Sequence, residues 1–397
     1  MTKNKLKIIN DPVYGFINIP SNLVYDIIEH PYFQRLRRIQ QLGLSNLVYP
    51  GATHTRFQHA LGAMHLMMTA LNELKNKNVE ITPEEYEAAC CAILLHDIGH
   101  GPFSHTLEHT ILPFHHEEIS AAIIQKLNIC FSNKLQLAMQ IFNNTYHKTF
   151  LSQLVSGQLD VDRMDYLMRD SFYTGVIEGK IGYDRIIKML CVVDNKLAVE
   201  YKGIYSIEDF LVSRRVMYWQ VYLHKTVIAA ENMLIQTMKR ARKIKANGDD
   251  NLNYFINNTP KLLNDEVLQQ FLSLDDSNVI IALKKFMVHD DKILSLLSSG
   301  IMNRNIFKIK LQNSPFNELI TKETQLKIQK KYNIKKSEIS FLQIINTTQN
   351  SAYNTQKESI NILMKNGDVK ELANISDNSI LHYLANDVKK YYHCFLE

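Results

Sequence analysis

The stretch Ala92-Ile93-Leu94-Leu95-His96-Asp97-Ile98-Gly99-His100-Gly101-Pro102-Phe103-Ser104-His105 constrains this chain more than any other. An apolar helical run delivers a His-Asp pair, Gly99 breaks the helix, and two further histidines follow. Imidazole and carboxylate are the side chains that hold first-row divalent metals. Adjacent polar residues before a glycine are also an ordinary helix end, so the pair alone decides little. Its surroundings decide more: His54 and His59 stand upstream, and His109, His115, His116 and Asp162 downstream. Leu94 and Leu95 read as buried, which sets the pair where a core helix emerges into a cleft.

At 397 residues the chain can form one large domain plus a smaller one. A hydrophobic content of 46% and a charged content of 21% describe an ordinary globular protein. The net charge of +5 permits anionic ligands without marking a nucleic-acid binder. Cys90, Cys91, Cys130, Cys191 and Cys394 show no CxxC spacing and read as small buried hydrophobes of a reducing compartment. Met1 to Asn10 is polar and lysine-rich, unlike a signal peptide. No apolar run approaches the roughly 20 residues that span a bilayer. The expectation is a cytoplasmic protein with no membrane partner.

Local signals read as mostly α. Ile8 to Ile19 suggests a small hairpin; Ser21 caps a helix to Glu29, and Pro31 starts one that ends at Gly43 with Phe33, Leu36, Ile39 and Leu42 on one face. Helices follow over about Phe57–Leu74, Pro83–Asp97, His116–Leu127, Asn133–Phe142, Phe150–Ser156 and Asp162–Asp170. Cys191–Asp194 and Leu197–Tyr201 read as strands, and Ile207–Lys245 as one long helix. Its basic end, Lys239 to Lys245, reads as a solvated helix terminus. Asn247-Gly248-Asp249-Asp250 reads as a linker, dividing a core (residues 1–246) from a C-terminal region (251–397) packed on it. Beyond Asn303, short strand-length runs and the Asn366-Gly367 turn signal predict a small α+β unit.

A metal site in a helical body must gather ligands from several helices. The candidates are His59 at one helix start, His96 and Asp97 at another's end, and Asp162 at a third's start. That leaves coordination room for water, as catalytic sites do. The mixed nitrogen and oxygen set suits one divalent ion, whether Mn, Fe, Mg, Zn or Ni. Arg56 and Arg163 beside these ligands suit phosphate, and His100, His105 and His116 could donate protons to it. Together they imply hydrolysis of a phosphate ester or anhydride.

Residues 8 to 245 resemble the HD-domain metal-dependent phosphohydrolases, and within them the deoxynucleoside triphosphate triphosphohydrolases. The matching stretches include Asn10-Asp11-Pro12, Phe33-Gln34-Arg35-Leu36-Arg37, Gln41-Leu42-Gly43, Tyr49-Pro50-Gly51-Ala52, Arg56-Phe57 with His59, and His96 through His105. Further on come His116-Glu117, Asp160 through Tyr166, Arg169-Asp170, and Tyr222 with His224-Lys225. The resemblance implies an HD-type helical body, with His59, His96, Asp97 and Asp162 as metal ligands. It puts Arg56, Arg163 and Arg214 on phosphate, His105 and His116 along the phosphate path, and His100 as a proton donor. Gln41 and Leu42 would touch base and sugar; Tyr166, Asp170 and Tyr222 would form the sugar pocket. The implied reaction converts a dNTP and water to deoxynucleoside and inorganic triphosphate, with a second Mg ion accompanying the triphosphate. Two positions depart from the pattern of the vertebrate members of the family that the chain resembles. Arg163 replaces a lysine, and Glu108 replaces an aspartate while keeping a carboxylate that could orient His105. His54, His109 and His115 match no role and read as loop or surface histidines.

The resemblance further implies a nucleotide effector site, matched here by Asn10, Asp11, Gln34 and Arg37, and a homo-oligomer, dimer or tetramer. Glu29 takes an aspartate's place in it, and Glu200 stands where an arginine would bind the activator, so the expectation is an altered effector preference. Because the HD region begins almost at once, the expectation is that no SAM domain precedes it. Two alternatives stay open. One is an HD phosphohydrolase acting on a nucleoside monophosphate or a cyclic nucleotide. The other is a non-catalytic module binding nucleotide or nucleic acid.

Overall fold

The computed structural model describes residues 7–350, 359–375 and 388–397; the first six residues of the lysine-rich start lie outside them. The hairpin forms as read: β1 (Ile8–Asp11) pairs antiparallel with β2 (Gly15–Asn18). Asp11 Oδ1 accepts from the backbone N–H groups of Val13 and Tyr14 at 2.9 and 3.0 Å and so closes the turn. Ser21 caps α1 (Asn22–Glu29), and Pro31 opens α2 (Pro31–Gln34). The helix expected to continue to Leu42 does not. A 3₁₀ turn covers Arg35–Arg38, and Gln40 then bridges Thr55 as extended chain. Phe33, Leu36 and Ile39 recur every three residues, a spacing that a 3₁₀ turn serves as well as an α-helix.

The helical body follows: α3 (Arg56–Asn76), α4 (Pro83–Leu95), α5 (His116–Cys130), α6 (Gln136–Phe142), α7 (Thr149–Ser156) and α8 (Val161–Thr174). Their starts are written locally, by capping boxes at Thr55/Gln58 and Thr82/Glu85 and by the Asp160 cap. Leu94 and Leu95 are fully buried, each contributing about 1.5–3 kcal/mol that holds the polar pair after them in place. α3 packs against both α4 and α8. A Cβ at Gly62 would overlap the Asp165 carboxylate and the Arg169 guanidinium, so glycine there lets α8 press its polar face onto α3.

Next come α9 (Tyr183–Met189), the hairpin β3 (Leu190–Val193) and β4 (Lys196–Glu200), and α10 (Ile204–Met217). The long helix expected over Ile207–Lys245 is two. A π-helical turn over Tyr218–Tyr222 ends the first, and α11 (Lys225–Ile244) starts the second. His224 leaves helical geometry at ψ 132° and caps α11 through its own ring, which accepts from the Thr226 N–H. Single π-turns gather at functional sites, and this one turns Tyr222 inward.

The C-terminal region continues through α12 (Asp250–Asn257), α13 (Asp265–Leu272), α14 (Asp276–Phe286), α15 (Lys292–Met302), β5 (Lys308–Gln312), α16 (Glu318–Tyr332), β6 (Gln343–Asn350), β7 (Asn361–Leu363), β8 (Val369–Glu371), α17 (Leu372–Ile375) and β9 (Val388–Phe395). β5 and β6 flank β9 in one antiparallel sheet. β7 pairs parallel with β4 and extends the body's hairpin into the order β3-β4-β7-β8. Asn247–Asp250 is no free linker. Asp249 caps α12 and accepts from Asn278 Nδ2, and Lys285 Nζ donates to the Gly248 carbonyl. Nor is the basic end of α11 solvated throughout. Arg240 is buried on Asp291 and Glu338, and Arg242 donates to the carbonyls of Thr110 and Phe255. Four cysteines are buried as expected; Cys130, the last residue of α5, is exposed. No helix among the described residues is long and apolar enough to cross a membrane.

Candidate metal centre and nucleotide cavity

The four expected ligands converge from three helix ends. His59 lies in the first turn of α3, His96 caps α4 with Asp97 directly after it, and Asp162 lies in the first turn of α8. Asp162 Oδ1 stands 3.0 Å from His59 Nε2 and 3.4 Å from His96 Nε2. Asp97 stands 3.7 Å from His59 Nε2 and 3.4 Å from His96 Nε2. Ligands around one ion at about 2.0–2.2 Å lie roughly 2.8–3.6 Å from each other. The two imidazoles are prepared for that role. His59 Nδ1 donates to Asp165 Oδ2 at 2.7 Å and His96 Nδ1 to the Ile93 carbonyl at 2.6 Å. Each Nε2 therefore points its lone pair inward, and both are buried with no hydrogen-bond partner among the described residues. These residues fit a divalent ion. Burial disfavours a charged His59, yet the Asp162 and Asp165 carboxylates beside its ring outweigh that and raise its pKa to about 10. The site selects a cation, and a metal can take the proton's place.

Asp165 was not singled out from the sequence, nor was the chain of charges behind it. Arg169 clamps Asp165 through Nε and Nη2 at 3.0 Å each, and its Nη1 reaches Asp11 Oδ2 at 2.7 Å. All three are buried. His54, read as a loop histidine, is also buried, with Nε2 2.7 Å from Asp170 Oδ1. His109 and His115 are exposed as expected.

A cavity of about 390 Å³ opens from the ligands. Asp97, Asp162, Arg56 and His100 line one part of it; Tyr166, Asp170, Tyr222, Gln41 and Leu42 line another. Tyr222 donates to Asp170 Oδ2 at 2.7 Å. Arg56 pairs through Nη1 with Asp97 Oδ2 and donates from Nε to Ser104 Oγ at 2.7 Å, so it positions a ligand as well as facing the cavity. Glu108 organises the histidines: Nδ1 of His105 and of His116 donate to its two oxygens at 2.9 and 2.8 Å. Those bonds outweigh its partial burial and hold its carboxyl well below the usual range. Both rings thereby keep Nε2 for a ligand. His100 stacks on His116 at 4.0 Å, and burial together with the Arg56 charge holds its imidazole neutral.

Arg163 and Arg214 do not line this cavity. Arg163 pairs with Asp160 Oδ2, donates to the Gly157 carbonyl, and lines a second cavity of about 880 Å³ that also reaches His96, Asp97, His116 and Asp162. Arg214, on α10, keeps Nε and Nη1 buried without partners among the described residues. Asn10, Asp11, Glu29 and Arg37 do come together, around a third cavity of about 530 Å³. Gln34 accepts from Arg37 Nε at 2.8 Å but lies off that lining, and Glu200 pairs with Lys77 at 2.7 Å.

A helical body that gathers His and Asp ligands at three helix ends defines the HD class of phosphohydrolase. The HD domain family matches residues 56–170 and the HD associated region matches 181–388, and the chain belongs to this family. Among individual relatives, a crystal structure of a phosphohydrolase from Bacteroides thetaiotaomicron superposes with a TM-score of 0.95 at 50% identity, covering 99% of this chain and 100% of that one. Uncharacterized protein YwfO of Bacillus subtilis is 30% identical over 97% of this chain and 92% of its own length. The bovine deoxynucleoside triphosphate triphosphohydrolase SAMHD1 is 27% identical over 81% of this chain, which spans 61% of that protein.

Proposed function

We propose that this chain is a metal-dependent hydrolase of deoxynucleoside triphosphates, releasing deoxynucleoside and inorganic triphosphate. The observation that carries the reading is the single cavity that joins the ligand carboxylates Asp97 and Asp162 to Tyr166, Asp170 and Tyr222. Its volume of about 390 Å³ falls within the usual range for small-molecule sites. The SAMHD1 relatives support the same substrate class.

His59, His96, Asp97 and Asp162 would hold the ion, which when bound polarises a phosphoryl oxygen and activates water. The chain's own residues do the rest. His105 and His116, with Nδ1 committed to Glu108, offer Nε2 to phosphate oxygens. Arg214 lies behind the cavity lining, but its buried Nε and Nη1, without partners among the described residues, could reach an anion if the wall there opens. Burial and the Arg56 charge lower the His100 pKa, whereas a polyphosphate beside it favours its charged form, from which a proton can pass to the departing 5′-oxygen. Asp170, held by His54 and Tyr222, is placed to accept from a sugar hydroxyl. The third cavity, with Arg37 and Asn10 on its wall, is proposed to take a nucleotide effector.

The test is product identity. Purified protein receives each dNTP singly and in mixtures with Mn²⁺, Mg²⁺ or Fe²⁺, beside an Asp97→Ala control, and products are separated by ion exchange. Deoxynucleoside plus triphosphate, absent from the control, is the expected result; turnover only in mixtures marks activation. Release of orthophosphate, or turnover of monophosphates or cyclic nucleotides alone, would overturn the dNTP reading.

A further inference from the structure

Four carboxyl groups line the main cavity, and three have partners that account for them. Asp97 pairs with Arg56, Asp162 approaches His59 and His96, and Asp170 is held by His54 and Tyr222. The fourth, Glu231, stands in the second turn of α11. Among the described residues its one hydrogen bond comes from Thr106 Oγ1, at 3.0 Å, and no cation faces it. Burial, opposed by that single bond, pushes its carboxyl up to about 7. Gly43 lies against Thr106, a Cβ there meeting Oγ1 at 3.7 Å, so Gln41 and Leu42 belong to the same part of the cavity. Gln41 Oε1 is buried with no partner among the described residues. This part of the wall therefore offers two acceptors that want donors, apart from the ligand carboxylates where phosphate chemistry belongs.

We infer that Glu231, assisted by Gln41, reads the nucleobase and selects guanine over thymine. The inference rests on the dNTP reading of the cavity. Guanine carries N1–H and the 2-amino group side by side, two donors that match the two oxygens of one carboxylate. Thymine carries a single N–H flanked by two carbonyls, which would face the Glu231 oxygens in mutual repulsion. Adenine and cytosine each offer one exocyclic amino group and fall between. A fully made pair also favours the ionised carboxylate that burial alone disfavours. Thr106 fixes the carboxyl orientation and leaves a second lone pair on Oε1 and both on Oε2.

The experiment is an equimolar competition among dGTP, dATP, dCTP and dTTP, for wild type and for the isosteric Glu231→Gln, whose thermal midpoint checks its fold. Thr106→Val, which frees the carboxyl to turn, serves as a second variant. Wild type is expected to consume dGTP about 10–100-fold faster than dTTP, and Glu231→Gln to reduce that ratio to within about threefold, the loss falling on dGTP. A parallel calorimetric titration with 2′-deoxyguanosine and thymidine needs no turnover. It should show the same preference and the same loss. Absence of turnover of any dNTP would overturn the substrate reading, yet a deoxyguanosine preference lost in Glu231→Gln would still uphold the role of Glu231. Equal handling of guanine and thymine by wild type, or an undiminished guanine preference in the variants, would overturn the inference.

Discussion

His59 is fixed by a succession of buried charges, each held by the one behind it: Asp165 by Arg169, and Arg169 by Asp11 at the root of the hairpin. A ring nitrogen that donates to a carboxylate keeps its other lone pair aimed and basic. Asp165→Asn is therefore expected to weaken metal binding by about 10–100-fold while leaving the helical content intact. Equilibrium dialysis with Mn²⁺ beside circular dichroism measures both, and an unchanged affinity would refute the role. Arg169→Leu removes the one guanidinium shared by two buried carboxylates and should cost about 3–5 kcal/mol in urea unfolding. The four candidate ligands were legible because several His and Asp residues fall at helix ends that a helical body can bring together. The support behind them was legible only in part: Asp162, Asp165 and Arg169 recur at helical spacing on one face of α8, a signal the sequence does carry. His54 carries none, since its partner Asp170 lies 116 residues away.

At the next scale, α4 must end at Leu95 for His96 and Asp97 to reach the site, so its start matters as much as its end. Glu85 closes the capping box with the Thr82 N–H at 2.9 Å. It also accepts from Lys148 Nζ at 2.9 Å and Tyr146 Oη at 2.7 Å, tying α4 to the segment before α7. Burial opposes its ionisation, but those bonds outweigh it and hold its pKa below the ordinary glutamate value. Its stabilisation is thus fully present above the unfolded-state pKa and is lost as pH falls through the folded one. Glu85→Gln should cost about 2 kcal/mol at neutral pH, and the difference from wild type should shrink as denaturation is repeated at progressively lower pH. A constant difference would count against the ionic contribution. The helices opened by Ser21, Thr82 and Asp160 were read near their observed starts, whereas α11, opened by the His224 ring, and α16, opened by Asn317, were not read as separate helices. The misread stretches Arg35 to Leu42 and Tyr218–His224 also carry distant contacts that sequence periodicity does not register: Arg35 Nε donates to the Leu274 carbonyl, and Tyr49 Oη to that of Gln220.

Across the whole molecule, the C-terminal region props the cavity it does not line. Arg35, buried against Phe271, donates from Nη2 to the His100 carbonyl at 2.7 Å. Asp276, at the start of α14, accepts from the Gln40 N–H at 2.8 Å and from the Phe103 N–H at 2.7 Å. One carboxylate thus joins the segment carrying Gln41 and Leu42 to the loop carrying His100 and His105. Sequence periodicity cannot register a tie of this kind, because neither loop has a repeating pattern and the two partners lie 236 and 173 residues from Asp276. Asp276→Ala strips two buried N–H groups of their acceptor, at about 1–3 kcal/mol each. The cost should be local. Hydrogen exchange at Gln40 and Phe103 is expected to speed up by about tenfold or more, while amides in the middle of α3 and α4 keep wild-type protection and Mn²⁺ binding persists. Uniform acceleration across the body would mean that Asp276 serves global stability. Unchanged exchange at both loops would mean that the cavity wall stands without the C-terminal region.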